Sequence, residues 1–314
     1  MKAVLQYRAS PGLRQRIASI AHEWLHVEIV DERDRKTFTR EMGDADVLFH
    51  VLERVTATVI EHAPKLRLIQ KLGIGVDTID LAAAQRRGIA VCNMPGTNTR
   101  AVAELALLLM LATLRRVCEL DRRTRAGQGW SLDDRLLDNL GELGGRTVGL
   151  IGMGAVGRCL TPMLDAIGAD VIYTDVAATR DTSARFSTRS ELLKSADLVS
   201  LHLPLTSDTA GMMNADAFAS MKSGAVLINT ARGGLVDHHA LHRALIEGRL
   251  RAAGLDVFES EPIDSSHPLC SLPNVVITPH LAWFTAETLQ RSVSVFAENC
   301  RRLREGEELL NRVV

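Results

Sequence analysis

Three side chains able to handle protons and anions stand at the ends of successive apolar runs in the C-terminal half of the sequence. Arg232 follows an apolar run in NTARGG, Glu261 follows the next in GLDVFESEP, and His280 closes the last in TPH. An arginine clamps a carboxylate or a 2-oxo oxygen through paired N–H donors. A histidine exchanges a proton near neutral pH, and a carboxylate beside it favours the imidazolium and orients the ring. Open parallel sheets place ligands at the carboxyl ends of their strands, so the three suit an oxoacid site. Capping and pairing at strand ends would use the same residue types.

A second motif concerns phosphate. Residues 148–157 read VGLIGMGAVG, an apolar run entering G-x-G-x-x-G and then a helical pattern. In that context Gly152 serves the tight turn, Gly154 lets the backbone approach a pyrophosphate, and Gly157 permits close helix–strand packing. Ala155 and Val156 open the helix, whose N-terminus offers free N–H groups to an anion. Asp175 ends the next apolar run, where an acid accepts hydrogen bonds from the ribose hydroxyls of NAD and repels the 2′-phosphate of NADP. A structural glycine turn with a local strand-end cap is the alternative.

These groups need a scaffold, and the sequence alternates accordingly. Strands are expected at residues 2–6, 26–30, 45–52, 66–72 and 89–93, with helices at 13–24, 56–62 and 81–87. A long helix over 99–123, apolar on nearly every face through Leu114, should be buried all round, between domains or against another subunit. Residues 126–145 read as an irregular arm in which Leu132, Leu136, Leu137, Leu140 and Leu143 stand between glycines. The alternation restarts with strands at 147–151, 170–174, 197–201, 226–229, 254–257 and 275–278. Two βαβ series predict two doubly wound parallel-sheet domains. A last helix, 285–304, is long enough to return to the first. The expected division is residues 1–98 plus 285–314 against 99–284.

Composition excludes several classes of function. Thirty-seven Lys+Arg against thirty-eight Asp+Glu give a net charge of −1, which offers no bulk field for nucleic acid. Aromatics at 4% remove the stacking platforms of single-strand binders. The longest apolar run, 105–114, is half of the ~20 residues that span a bilayer, and residues 3–5 are too short for a signal peptide. A cytoplasmic protein is expected. Cys92, Cys118, Cys159, Cys270 and Cys300 are scattered and odd in number, which argues against disulfides or a thiolate zinc site. No metal site is expected: the pairs His22/His26 and His238/His242 lack a third ligand nearby and read as solvated helix faces. Cys92 and Cys270 read as packing residues.

Taken in order, the blocks GIGVDTID (73–80), VAEL (102–105), 148–157, DLVSLHLPLT (197–206), MKSGAVLINTARGGLVD (221–237), 254–262 and TPH (278–280) resemble the D-isomer-specific 2-hydroxyacid dehydrogenase family. The resemblance implies a flavodoxin-like substrate domain, a Rossmann domain for NAD, and a homodimer built on the long helix and arm. It implies that His280 is the acid/base, Glu261 its carboxylate partner and Arg232 the residue that grips the oxoacid. The backbone of Ile74, Gly75 and Val76 would receive the substrate carboxylate, with Asn98 near the reacting centre. Asp256 would bond the nicotinamide carboxamide, while Pro204, Thr230 and Ala231 line the cofactor cleft. His202, in the same cleft region, is either its support or a satisfied structural histidine.

Some positions depart from the phosphoglycerate members of that family. Those often carry arginine at the end of the third strand, where this sequence has His50 in FHVL. The sequence also stops soon after His280, without room for a serine-sensing domain. Trp283 resembles the pocket aromatic of glycerate/hydroxypyruvate enzymes and of the NAD-sensing corepressors, although interface packing would suit it as well. The expectation is an NAD(H)-dependent enzyme interconverting a small 2-oxo acid (glyoxylate or hydroxypyruvate type) and its D-2-hydroxy acid. The rivals are a corepressor-like NAD-sensing protein, a phosphoglycerate dehydrogenase, and an inactive homologue kept for assembly.

Overall fold

The computed structural model describes residues 1–131 and 134–314, with the backbone alone at 135. Leu132 of the expected arm lies outside the described residues. The chain divides into two units, residues 1–98 with 284–314 and residues 99–283.

In the first unit, β1 (Lys2–Gln6), α1 (Pro11–Ile20), β2 (His26–Val30), α2 (Arg35–Met42), β3 (Val47–His50), α3 (Ala57–Glu61), β4 (Leu68–Lys71), α4 (Leu81–Arg86) and β5 (Ala90–Cys92) alternate along the chain. The strands form a parallel sheet in the order β2-β1-β3-β4-β5. Every residue of β3 and β4 is buried, as expected of strands covered by helices on both faces. Ser10, Asp34, Thr56 and Asp80 cap the four helices by accepting from backbone N–H groups one turn in, each cap contributing ~1 kcal/mol. Helix α2 was not expected from the sequence. Only Phe38 and Met42 are buried on it, and two apolar residues in a charged stretch leave little periodicity to read.

The second unit comprises α5 (Thr99–Arg115), α6 (Val117–Arg125), α7 (Asp134–Asp138), β6 (Thr147–Ile151), α8 (Ala155–Ile167), β7 (Asp170–Thr174), β8 (Arg185–Phe186), α9 (Arg189–Ser195), β9 (Leu198–Leu201), α10 (Ala215–Ser220), β10 (Ala225–Asn229), α11 (His238–Ile246), β11 (Leu250–Leu255) and β12 (Val275–Ile277). Its sheet is parallel, in the order β12-β11-β10-β9-β6-β7-β8. The chain runs outward from β6 to β8 and then returns to β9, so the order reverses between β6 and β9. Ligands enter such sheets at the carboxyl ends flanking that reversal. Helix α12 (Ala286–Glu305), capped by Thr285, belongs to the first unit.

The single helix expected over 99–123 is two. Arg116 adopts the left-handed conformation (φ 50°) between α5 and α6, and the Leu114 carbonyl accepts from Gly141 N–H at 3.0 Å. The sequence pattern stays helical across this point because the break is set by a loop 25 residues later. Within the single chain α5 is buried on one side. Ala103, Ala106, Leu109, Met110 and Leu114 pack beside Val148, Leu150 and Ile228, whereas Leu108 is 56% exposed. Truncating a buried residue such as Leu109 to Ala would cost ~2–5 kcal/mol.

Candidate active site

Gly152 leaves β6 at φ 103°, and a Cβ there would lie 2.4 Å from the His202 carbonyl oxygen at the end of β9. Only glycine meets both demands. Its N–H donates to Thr174 O at 2.9 Å, and His202 N–H donates to Ile151 O at 2.8 Å, so three strand ends are tied at the reversal. Gly157 lies against the Gly152 carbonyl, and Gly154 faces open space. Gly154 is the N-cap of α8 and supplies no side-chain cap. The N–H groups of Gly154, Ala155 and Val156 accordingly have no acceptor among the described residues, which is the cradle a pyrophosphate requires.

Asp175 follows β7 and accepts from Met153 N–H (2.7 Å) and Val176 N–H (2.6 Å), so its carboxylate sits at the rim of the glycine turn. Burial holds the His202 imidazole down to about 4, and its Nε2 pairs with Ser200 Oγ at 2.9 Å. Pro204 is exposed on the following loop.

On the other side of the reversal, the ends of β10, β11 and β12 are stitched together. Asp256 N–H donates to Asn229 O (2.9 Å), Thr278 N–H to Leu255 O (2.9 Å), and His280 N–H to Asp256 O (2.7 Å). Buried Asn229 pins the 230–232 turn, its Oδ1 accepting from Ala231 N–H (3.0 Å) and its Nδ2 donating to Arg232 O (2.8 Å). Thr230 Oγ1 and Asn98 Oδ1, in the second and first units respectively, are buried atoms without a hydrogen-bond partner. After Arg232 the chain passes so close to the 258–259 peptide that a Cβ on Gly233 would lie 1.9 Å from the Phe258 carbonyl carbon.

His280 stands on left-handed backbone (φ 54°), an uncommon state for a non-glycine residue. Asp256 holds it there. Its fully buried carboxylate accepts from Thr278 Oγ1 (2.5 Å), Leu281 N–H (3.0 Å) and Ala282 N–H (2.9 Å). Burial raises the Asp256 pKa despite these donors. The Trp283 indole N–H donates to the His280 carbonyl at 3.1 Å. His280 Nδ1 meets Glu261 Oε2 at 2.6 Å, and Glu261 Oε1 accepts from Phe258 N–H at 2.9 Å. Burial pushes the Glu261 carboxyl up, but the His280 hydrogen bond and charge, the Phe258 N–H and the charge of Arg232 outweigh it and leave the carboxyl below its ordinary value. The result is an oriented ring whose Nε2 is free of that pairing and can give or take a proton.

In the first unit, the loop after β4 presents three consecutive N–H groups, at Ile74, Gly75 and Val76, with no acceptor among the described residues. Its carbonyls are held instead: Gly73 O accepts from Met94 N–H (2.8 Å) and Ile74 O from Asn93 Nδ2 (3.0 Å). His50, at the end of β3, is 1% exposed. Its Nε2 lies 2.5 Å from Glu53 O, and its Nδ1 is buried without a partner. Burial, with the charge of buried Lys71, lowers its pKa to about 3.

Asn229 and the bracing use of Asp256 were not read from the sequence, because their partners lie in turns the strand pattern does not resolve. His238 is corrected: it is 4% exposed, packed edge-on to Phe258 (5.8 Å) and His267 (5.6 Å), because α11 begins against the 258–267 segment. Cys270 is exposed rather than packed, whereas Cys92 is buried.

Comparison with known proteins gives the family of the chain. A family model described as D-isomer specific 2-hydroxyacid dehydrogenase, NAD binding domain, matches residues 107–282. A glyoxylate reductase of Korarchaeum cryptofilum is 39% identical over 279 residues, covering 87% of this chain and 84% of that protein. A D-3-phosphoglycerate dehydrogenase of Mycobacterium leprae is 39% identical over 300 residues, covering 94% of this chain and 56% of that one. Among solved structures, a formate dehydrogenase of Staphylococcus aureus in complex with NAD is similar with a TM-score of 0.90 at 27% identity, over 100% of this chain and 99% of that one.

Proposed function

The chain belongs to the D-isomer specific 2-hydroxyacid dehydrogenase family, and we propose that it reduces small unphosphorylated 2-oxo acids of the glyoxylate and hydroxypyruvate type. It is an NAD-dependent oxidoreductase acting on the CH–OH group of a 2-hydroxy acid. A bound NAD(H) would supply hydride to substrate C2, or accept it from there. The free N–H groups of the 152–157 turn hold its pyrophosphate, Asp175 its ribose, and Pro204, Thr230, Ala231 and Asp256 border the rest. Arg232 grips the substrate and polarises its 2-oxo oxygen. The N–H groups of Ile74, Gly75 and Val76 receive the carboxylate, with Asn98, His50 and Trp283 as further walls.

During reduction His280 gives its proton to the oxygen that gains charge, and Glu261 stabilises the imidazolium beforehand. The observation carrying this reading is the 2.6 Å contact between His280 and Glu261 on a backbone braced by Asp256. His280→Ala should lower kcat for glyoxylate reduction by about 10²–10⁴, with NADH affinity by fluorescence titration unchanged. A fully active variant would overturn the assignment.

The substrate class rests on His50 at the end of β3 and on the glyoxylate reductase relatives. The phosphoglycerate dehydrogenase relative supports a second reading, with the phosphorylated acid as substrate. The exposed apolar residues Leu108, Val117, Trp130 and Leu137 support a homodimer through α5 and the arm. The same reading places the protein in the cytoplasm, without a nucleic-acid partner; no helix among the described residues is long and apolar enough to cross a membrane.

A further inference from the structure

At the opposite end of the seven-stranded sheet from the glycine turn, two guanidinium groups meet around Gly141, with a third, that of Arg116, close enough to act on them by charge. Arg146 immediately precedes β6 and Arg251 stands near the start of β11. A Cβ on Gly141 would lie 2.8 Å from Arg146 Nη2 and 3.3 Å and 3.4 Å from Arg251 Nη2 and Nη1, so both side chains end at one point. The Gly141 N–H bond to Leu114 O brings the end of α5, and with it Arg116, to the same place. Burial first, and then the charges of Arg146 and Arg116, hold the Arg251 guanidinium below its ordinary range.

The acids nearby are already engaged. Glu119 is shared between Arg116 (2.5 Å) and Arg123 (2.9 Å). Asp197, which acts on Arg146 from a distance, pairs with Lys222 at 2.6 Å. Arg146 Nε donates to Glu142 O and Arg251 Nη2 to Asn139 O, both neutral carbonyls. Among the described residues neither Arg146 nor Arg251 has a carboxylate at ion-pair distance. Arg251 Nε and Arg116 Nε are buried donors with no acceptor. Adjacent half-buried cations with vacant donors are costly unless an anion joins them.

We propose that this cluster is an anion site in which Arg146 and Arg251, flanked by Arg116, take the oxygens of a phosphate group, free or carried on a small phosphate monoester. A phosphate dianion matches the two uncompensated charges and has oxygens enough for several N–H forks, whereas a single carboxylate would cancel one charge only. Because the cluster lies at the amino ends of the strands, it is separate from the pyrophosphate cradle at their carboxyl ends.

The test is thermal unfolding of the full chain under saturating NADH, so that the glycine turn is filled. Inorganic phosphate, glycerol phosphate and sodium chloride are compared at equal ionic strength. Wild type should gain a few degrees with phosphate over chloride, and the gain should vanish in Arg251→Gln and Arg146→Gln. In chloride alone both variants should unfold at the wild-type temperature or above, since each loses a repelling charge; this separates loss of the site from a damaged fold. A response to both phosphates would assign the site to the phosphoryl group itself, and a response to the inorganic ion alone to free phosphate. Equal phosphate gains in wild type and variants would overturn the proposal. So would variants that unfold earlier in chloride and sediment as smaller species, because a carboxylate of a second copy would then be the counter-ion.

Discussion

At the scale of single residues, the proposed role of His280 as proton donor would make the rate of reduction depend on the Glu261 charge that it contacts. Glu261→Gln keeps the shape and removes the charge, so kcat for reduction should fall, though by less than in His280→Ala. An unchanged kcat would detach Glu261 from the mechanism. His50 gives a pH dependence, in stability. Its folded pKa of about 3 lies below the ordinary ~6.5. The neutral ring's contribution is complete above the ordinary value and is lost as pH falls from there toward 3, at up to ~1.4 kcal/mol per pH unit. His50→Gln should flatten that slope in urea unfolding measured between neutral and acid pH. An identical slope would mean the ring is protonated in the folded protein. Arg232, Glu261 and His280 could be singled out in the sequence because each follows an apolar run. The brace on His280 could not, since Asp256 meets its three donors in a turn whose left-handed residue carries no glycine signal.

At the scale of elements, the apolar strands and the glycine turn were legible because a parallel strand buried on both faces leaves a continuous apolar run. The α5/α6 junction was not, because Arg116 lies within an unbroken helical pattern and Gly141 decides the break from the far side of the arm. That junction bears on assembly. Leu108 on α5 and Val117 at the start of α6 are 56% and 48% exposed, and Trp130 is 91% exposed. Such side chains are costly to leave in water at ~25 cal/mol per Å², and a two-fold interface would cover them on both copies. Sedimentation at micromolar concentration should give a dimer, weakened by Leu108→Glu. A stable wild-type monomer would contradict the proposed interface.

At the scale of the whole molecule, there are two sheets of different size: the glycine turn and the His280–Glu261 pair stand in the unit of one, and the loop at residues 74–76 in the unit of the other. The family was legible from the order of blocks along the chain, whereas the proposed substrate class rests on a few side chains such as His50. Steady-state NADH consumption with glyoxylate, hydroxypyruvate and phosphohydroxypyruvate tests the account most directly. It predicts that kcat/KM for hydroxypyruvate or glyoxylate equals or exceeds that for the phosphorylated acid. A value for phosphohydroxypyruvate tenfold above both, a difference of ~1.4 kcal/mol in transition-state stabilisation, would contradict it.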